Sequence, residues 1–242
     1  MRWSYEQVDF EPAGEDHAAL GRSYMVGSQI IREVYSDSAP YFIPYAFVGM
    51  SGRSKMSSST GASATPRAAL DILEPPMVRW LYVRKHPSQK FNIDFGQEVI
   101  RLYDEWDAFE VKVSAGNASP SEQKIYDSCV RTSFGAVNKS KIPVSFRLLS
   151  SAADITQGKV EQIVRIAADQ ANVSGDLGQF QAAIEPRLTC AIHWATQYLP
   201  EDERAHIRDR FSGEAYEQLD EVSKKGLEIL SAQLDENWTW SG

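Results

Sequence analysis

The chain of 242 residues carries 25 lysines and arginines against 33 aspartates and glutamates, a formal net charge of −8, with 43% hydrophobic residues. That balance belongs to a folded soluble protein of one large domain or two small ones, and no run approaches the roughly 20 apolar residues of a membrane span. Cys129 and Cys190 stand far apart without a CxxC pair, which excludes a disulfide framework and a four-thiolate zinc site. No basic segment followed by an apolar one opens the chain, so the expected compartment is the cytoplasm. Charge is uneven: residues 1–50 have a net charge of −4, residues 51–150 of +4 and residues 151–242 of −8. An acidic chain cannot hold polyphosphate through its global field, so phosphate chemistry is expected in the central section.

In chain order, Tyr24, Ile30, Ile31 and Val34 fall at near-helical spacing and predict a helix over about 20–35. The aromatic and β-branched run 40–48 predicts a strand, with Pro44 implying an edge position or a bulge. Residues 49–64 are almost entirely Gly, Ser, Thr, Ala and basic residues and read as a flexible loop. Thr65 as N-cap and Pro66 at the first helical position restart a helix. After Pro75-Pro76 a second helix runs through Met77, Trp80, Leu81 and Arg84, and 90–95 alternates as a strand or arm does. Val99, Ile100, Tyr103 and Trp106 mark a helix ending near Gly116, and further helices are predicted near 119–134, 158–172, 177–199 and 213–236. In the last, Tyr216, Leu219, Leu227, Leu230 and Leu234 form a stripe that reads as core-facing surface. Residues 174–178 read as a helix connection, the acidic triplet 201–203 as a helix start, and a domain boundary is expected between about 95 and 120.

Within the loop stands Lys55-Met56-Ser57-Ser58-Ser59, between a strand and a proline-started helix. Lys55 is a mobile point charge suited to phosphate, and the serines add small hydrogen-bond donors. Donors that close over a departing pyrophosphate lower its barrier, and a small-residue loop makes that movement at little steric cost. A solvated loop bearing one lysine is the competing reading. Asp16 and His17 follow Gly14 at the end of an expected strand, a common place for ligand contacts; an N-capping Asp beside a polar His is the alternative. His86, His193 and His206 occur singly without metal spacing, Ser121-Glu-Gln-Lys124 is an isolated SxxK match, and no protein-bound metal is expected.

The segment 55–59 resembles the KMSKS-type signature of class I aminoacyl-tRNA synthetases. The surroundings are similar to the class I lysyl-tRNA synthetases in particular. The resemblance is carried by Met1-Arg-Trp3, Val8-Asp-Phe-Glu-Pro12, Gly14-Glu-Asp-His17, Ser23-Tyr24 and Val26-Gly27. It continues through Ala69-Leu70, Glu74-Pro75, Arg79-Trp80-Leu81, 102–107, Arg147-Leu-Leu149, Glu185-Pro-Arg187 and 200–204. It implies part of a Rossmann-like nucleotide-binding fold followed by an α-helical bundle: mainly α, with a small α/β N-terminal portion. Residues 1–64 would belong to the catalytic domain, 65–118 to a connecting stem-contact region and 119–242 to an incomplete helical region facing the tRNA.

The same resemblance implies ATP with Mg2+, lysine and tRNA-Lys as substrates and partners. Lys55, Ser57 and Ser58 would act in catalysis, 55–59 on ATP, and Gly14, Asp16, His17, Ser23 and Tyr24 around the substrate pocket. Arg84, Lys85, Lys139, Lys141 and Arg147 would meet tRNA phosphates, against the alternative of an ordinary solvated face. Three departures stand out. The family's HIGH-type element does not occur, Glu15 replaces a frequent Lys, and Thr60-Gly61 follows the serines where Lys-Gly is usual. The chain therefore reads as a section of a synthetase, inactive alone or paired with a separate N-terminal half. A truncated, non-catalytic paralogue that binds tRNA or protein is the rival reading.

Overall fold

The computed structural model describes residues 2–50, 65–205 and 211–236. Most of the expected loop, including Lys55, Met56, Ser57, Ser58, Ser59 and Thr60, lies outside the described residues, as does His206. The chain divides into two compact units, the first ending at Arg204 and the second beginning at Ala205. The fold is mainly helical with a few short strands.

The first unit opens with helix α1 (Arg2–Tyr5), strand β1 (Phe10–Gly14), helix α2 (Ser23–Tyr35) and strand β2 (Tyr41–Tyr45). β1 and β2 are parallel, with Phe10 opposite Tyr41 and Gly14 opposite Tyr45. Parallel neighbours need a crossover, and α2 supplies it. The helix stops where Ser36 turns left-handed at φ 51° and its N–H donates back to Ile31 O. The run 40–48 forms two strands, not one. It breaks at Ala46, whose N–H donates to Pro87 O at 2.8 Å, before β3 (Val48–Met50) pairs in parallel with β4 (Phe91–Ile93). Among the described residues β2 pairs with β1 alone, so the missing N–H of Pro44 interrupts no second ladder.

Helix α3 (Pro66–Leu70) begins as its sequence dictates: Thr65 Oγ1 accepts the Ala68 N–H at 3.1 Å and Pro66 occupies the first turn. Helices α4 (Pro75–Val83), α5 (Glu98–Ser114) and α6 (Pro120–Val130) follow. Ser119 and Glu122 close α6 with a reciprocal capping box. The helix expected over 119–134 stops at Val130 and gives way to a hairpin of β5 (Arg131–Thr132) and β6 (Gly135–Ala136). Helix α7 (Phe146–Ile155) is an element that the periodicity did not flag, and α8 (Val160–Gln170) matches expectation closely. The helix expected over 177–199 is two, α9 (Leu177–Ile184) and α10 (Arg187–Gln197), because Pro186 has no N–H with which to continue the ladder.

One apolar core gathers Leu73, Trp106, Leu149, Ile163, Leu188 and Trp194 from α3–α4 through α10. Tyr103 of α5 stacks on Phe146 of α7 with ring centroids 3.9 Å apart. Buried alanines at 152 and 153 of α7 and at 191 and 195 of α10 let those two helices approach closely. In the second unit, α11 (Gly213–Glu217) and α12 (Glu221–Glu236) are separate helices. They part where Asp220 Oδ1 accepts the Ser223 N–H at 2.7 Å. The expected core-facing stripe is corrected here: Leu227 is 43% and Leu230 54% exposed, since a five-residue helix offers too little surface to cover it. No helix among the described residues is long and apolar enough to cross a membrane.

Candidate functional site

The C-terminal ends of parallel strands are where an α/β fold presents ligand-binding groups. β1 ends at Gly14, and a one-turn 3-10 segment over Glu15–Ala18 carries Asp16 and His17 directly beyond it. Gly14 is buried, and a Cβ built on it would stand 2.8 Å from Asp16 Oδ1, so only glycine lets the carboxylate fold back over the strand end. His17 Nδ1 lies 2.7 Å from Ser23 Oγ at the start of α2, and its Nε2 lies 3.9 Å from Asp16 Oδ1. Gly14, Asp16, His17 and Ser23 thus meet in one place. The N-cap position of the 3-10 segment is Gly14. Glu15 pairs with Lys90 at 3.1 Å, which places a cation beside the position where the family often has its lysine.

Tyr24 sits at the rear of this group. Its hydroxyl donates to Pro40 O at 2.9 Å, and its ring stacks on Phe42 at 4.1 Å and tilts against Trp3 at 5.5 Å. Gly27, one turn on, admits Trp3, whose Cη2 would lie 2.9 Å from an added Cβ. The segment with Lys55 leaves from the C-terminal end of β3 at Met50 and rejoins the described chain at Thr65, the N-cap of α3. Among the described residues no three His, Cys, Asp or Glu side chains are grouped so as to hold a metal ion.

The five basic residues expected to face tRNA stand in different settings. Arg84 pairs with Glu105 at 2.8 Å and lies 3.9 Å over the Trp80 ring. Lys139 is held by Glu110 and lies 3.3 Å from Tyr126 Oη. Burial opposes its charge, yet the Glu110 carboxylate outweighs that and raises its pKa. Lys85 and Lys141 make no ion pair among the described residues. Arg147 is exposed, reaches Asp104 at 3.5 Å, and walls a cleft of about 320 Å³ with Gln97, Ile100, Asp154, Trp194 and Glu203.

The sequence offered no sign of the buried clasp beneath the helices. Arg187 is 1% exposed; its Nε donates to Glu74 at 2.6 Å and its two terminal nitrogens to Asp107 at 2.9 and 2.7 Å. Its guanidinium also lies 5.0 Å from the Tyr103 ring centre. Glu74 Oε2 accepts the Ser140 N–H at 2.7 Å, tying α4, α5, α10 and the chain before α7 together. Burial works against the charge of Arg187, but Asp107 and Glu74 overcome it and push its pKa up. Burial also lifts the Asp107 carboxyl, against the pull of Arg187.

Residues 1–134 match the family described as tRNA synthetases class I (K), and the chain belongs to that family. A relative from Streptomyces coelicolor, a lysine-tRNA ligase, is 41% identical over all of this chain and 41% of its own length. Lysine-tRNA ligases from Pyrococcus horikoshii and Borreliella burgdorferi are 33% and 31% identical over 87% and 98% of this chain, and 41% and 45% of their own lengths. The chain thus spans less than half the length of the curated relatives it matches.

Proposed function

We propose that this chain is the section of a class I lysine-tRNA ligase that carries the second signature loop of the catalytic domain and the start of the tRNA-facing helices. The whole enzyme, cytoplasmic, activates lysine with Mg–ATP and passes the lysyl group to tRNA-Lys. The observation that carries this reading is the 41% identity extending over the full chain to a lysine-tRNA ligase. The parallel pair β1–β2 supports assigning residues 1–64 to a Rossmann-like catalytic domain, and β4, which pairs with β3 from within 65–118, carries strand pairing past residue 64. Residues 65–118 then connect to the helical region of 119–242.

In the first step the lysine carboxylate attacks the α-phosphorus of ATP, forming lysyl-adenylate and expelling pyrophosphate. Lys55 and the hydroxyls of Ser57, Ser58 and Ser59, with Met56 between them, neutralise the charge that accumulates on the departing group. Asp16 faces the lysine ammonium, Gly14 gives its carboxylate room, and Ser23 holds the tilt of the His17 ring. Tyr24 holds α2 against β2 behind them. In the second step a ribose hydroxyl of the tRNA displaces AMP, with Lys85, Lys141 and Arg147 toward its phosphates, while Arg84 and Lys139 would meet a phosphate by leaving Glu105 and Glu110.

The section alone does not catalyse the first step. Parallel strands need cover on both faces, yet Phe10 is 50%, Val34 69% and Tyr41 69% exposed. Lysine-dependent exchange of labelled pyrophosphate into ATP tests this directly. The purified chain stays at background, while a chimaera that adds the remaining half of the Streptomyces coelicolor relative gains activity. Lys55→Ala lowers that activity by about 10²–10³-fold, and Thr60→Lys lowers the KM for ATP. Exchange by the chain alone overturns its dependence on the other half. A silent chimaera that still binds tRNA makes the chain a non-catalytic binding module.

A further inference from the structure

After α6 the chain reverses through a two-residue loop, Ser133–Phe134, with Arg131 opposite Ala136 and Thr132 opposite Gly135. The turn is fixed from within. Thr132 Oγ1 accepts the Phe134 N–H at 3.1 Å and donates to Gly135 O at 3.2 Å, and the Val137 N–H donates to Val130 O at 2.8 Å. Gly135 takes φ +123°, which a larger residue resists. The tip of this pinned hairpin is Phe134, 100% exposed. Turn centres favour Gly, Asn, Asp and Ser, so a phenyl ring there adds nothing to the fold.

The tip stands in a basic stretch of an acidic chain. Residues 124–141 hold Lys124, Arg131, Lys139 and Lys141 against Asp127 alone. Lys139 is committed to Glu110, whereas Lys124, Arg131 and Lys141 are exposed and make no ion pair among the described residues. An apolar docking patch for a protein would be contiguous, but the residues beside Phe134 are Thr132, Ser133 and Gly135. A ring at the tip of a pinned hairpin that also carries the exposed Arg131, unpaired among the described residues, fits a nucleobase with an adjoining phosphate. A ring cannot enter a stacked duplex, so the base must be unpaired, at an end or in a loop.

We propose that Phe134 is a stacking platform for an unpaired RNA base, with Arg131 on an adjoining phosphate. This rests on the reading of residues 119–242 as a tRNA-facing region, and names a contact which that reading does not contain.

Anisotropy titrations of the chain with labelled tRNA-Lys transcript and with a short oligoadenylate separate the two ideas. Phe134→Ala and Phe134→Leu weaken both RNAs by about tenfold with an unchanged salt slope, whereas Phe134→Trp retains affinity. Arg131→Glu weakens both and lowers the salt slope. Melting midpoints stay level, because the side chain touches solvent only. If Phe134→Ala or Phe134→Leu binds tRNA like the parent chain, the platform is refuted and the tRNA reading stands. If only the oligoadenylate binds, and does so through Phe134, the platform stands and the tRNA reading falls. Failure of the parent chain to bind either RNA overturns both. Self-association abolished by Phe134→Ala assigns the tip to a second copy and overturns the platform.

Discussion

Arg187 Nε and Glu74 Oε1 meet at 2.6 Å, with the two side chains 1% and 2% exposed and 113 residues apart in sequence. A charge so far from water is tolerable only while its partners stay in place. Asp107 completes the fork from α5, and Ser140 satisfies the other Glu74 oxygen. The clasp therefore fixes how α4 and α5 meet α10 and the chain before α7.

Arg187→Ala leaves the Glu74 carboxylate buried beside a void. We expect a loss of about 3–5 kcal/mol of unfolding free energy, measured by urea denaturation. The pair Glu74→Gln with Arg187→Met recovers most of it, because the fully buried carboxylate is gone, the glutamine carbonyl still accepts from Ser140, and the remaining Asp107 carboxylate is 26% exposed and reaches water. An additive double-mutant cycle would refute direct coupling of the two side chains.

The capping box of α6 makes a separable claim. Ser119→Ala removes the acceptor for the Glu122 N–H and costs about 1 kcal/mol at neutral pH. Glu122 is different: hydrogen bonds from Lys112 and from Ser119 hold its carboxyl down from an ordinary 4.5 to about 2. A carboxyl lowered in the folded state contributes stability that is present above pH 4.5 and lost as pH falls toward 2. Glu122→Gln keeps the cap but cannot titrate, so its stability declines less steeply across that window. Parallel acid limbs in the two proteins would contradict this.

Local signals were legible in the sequence where local physics decides the outcome. Thr65-Pro66 reads as a helix start because one hydroxyl and one missing N–H settle it, and the structure places both as read. The C-terminal end of β1 is legible for the same reason, which is why Asp16 and His17 stood out. Helix α7 was missed although Phe146, Leu149, Ala152 and Ala153 recur at helical spacing on its buried face. The hairpin after Val130 escaped as well: its two-residue loop holds Ser133 and Phe134, not an Asn-Gly or Asp-Gly signal. No spacing rule links Arg187 to Glu74, since the pairing depends on how four segments pack.

Both cysteines should be chemically silent in the native chain. Burial pushes the Cys129 thiol up to about 11, against the weaker pull of Arg79, and the Cys190 thiol up to about 12, against its hydrogen bond with Tyr103. Thiolate is the reactive form, and at pH 8 only on the order of one Cys129 in a thousand carries it. Iodoacetamide followed by intact-mass analysis should show no adduct natively and two in denaturant. Rapid native labelling of either would mean that the core around Tyr103 or α6 opens far more often than its packing implies.

Gly14→Ala tests whether the strand end is a built site or a turn of no consequence. The added Cβ would stand 2.8 Å from Asp16 Oδ1, 3.8 Å from His17 Cδ2 and 3.9 Å from Phe47 Cε1. The closest of these is the tip of a mobile side chain, so the carboxylate swings away and the backbone stays. Unfolding free energy should change by no more than about 0.5 kcal/mol. On the proposed role of Asp16 toward the lysine ammonium, displacing its carboxylate raises the KM for lysine in the chimaera by about tenfold and leaves the KM for ATP level, since the chain that carries Lys55 follows β3 and not β1. Equal increases in both constants would mean general damage to the domain. An unchanged KM for lysine would remove Asp16 from the pocket.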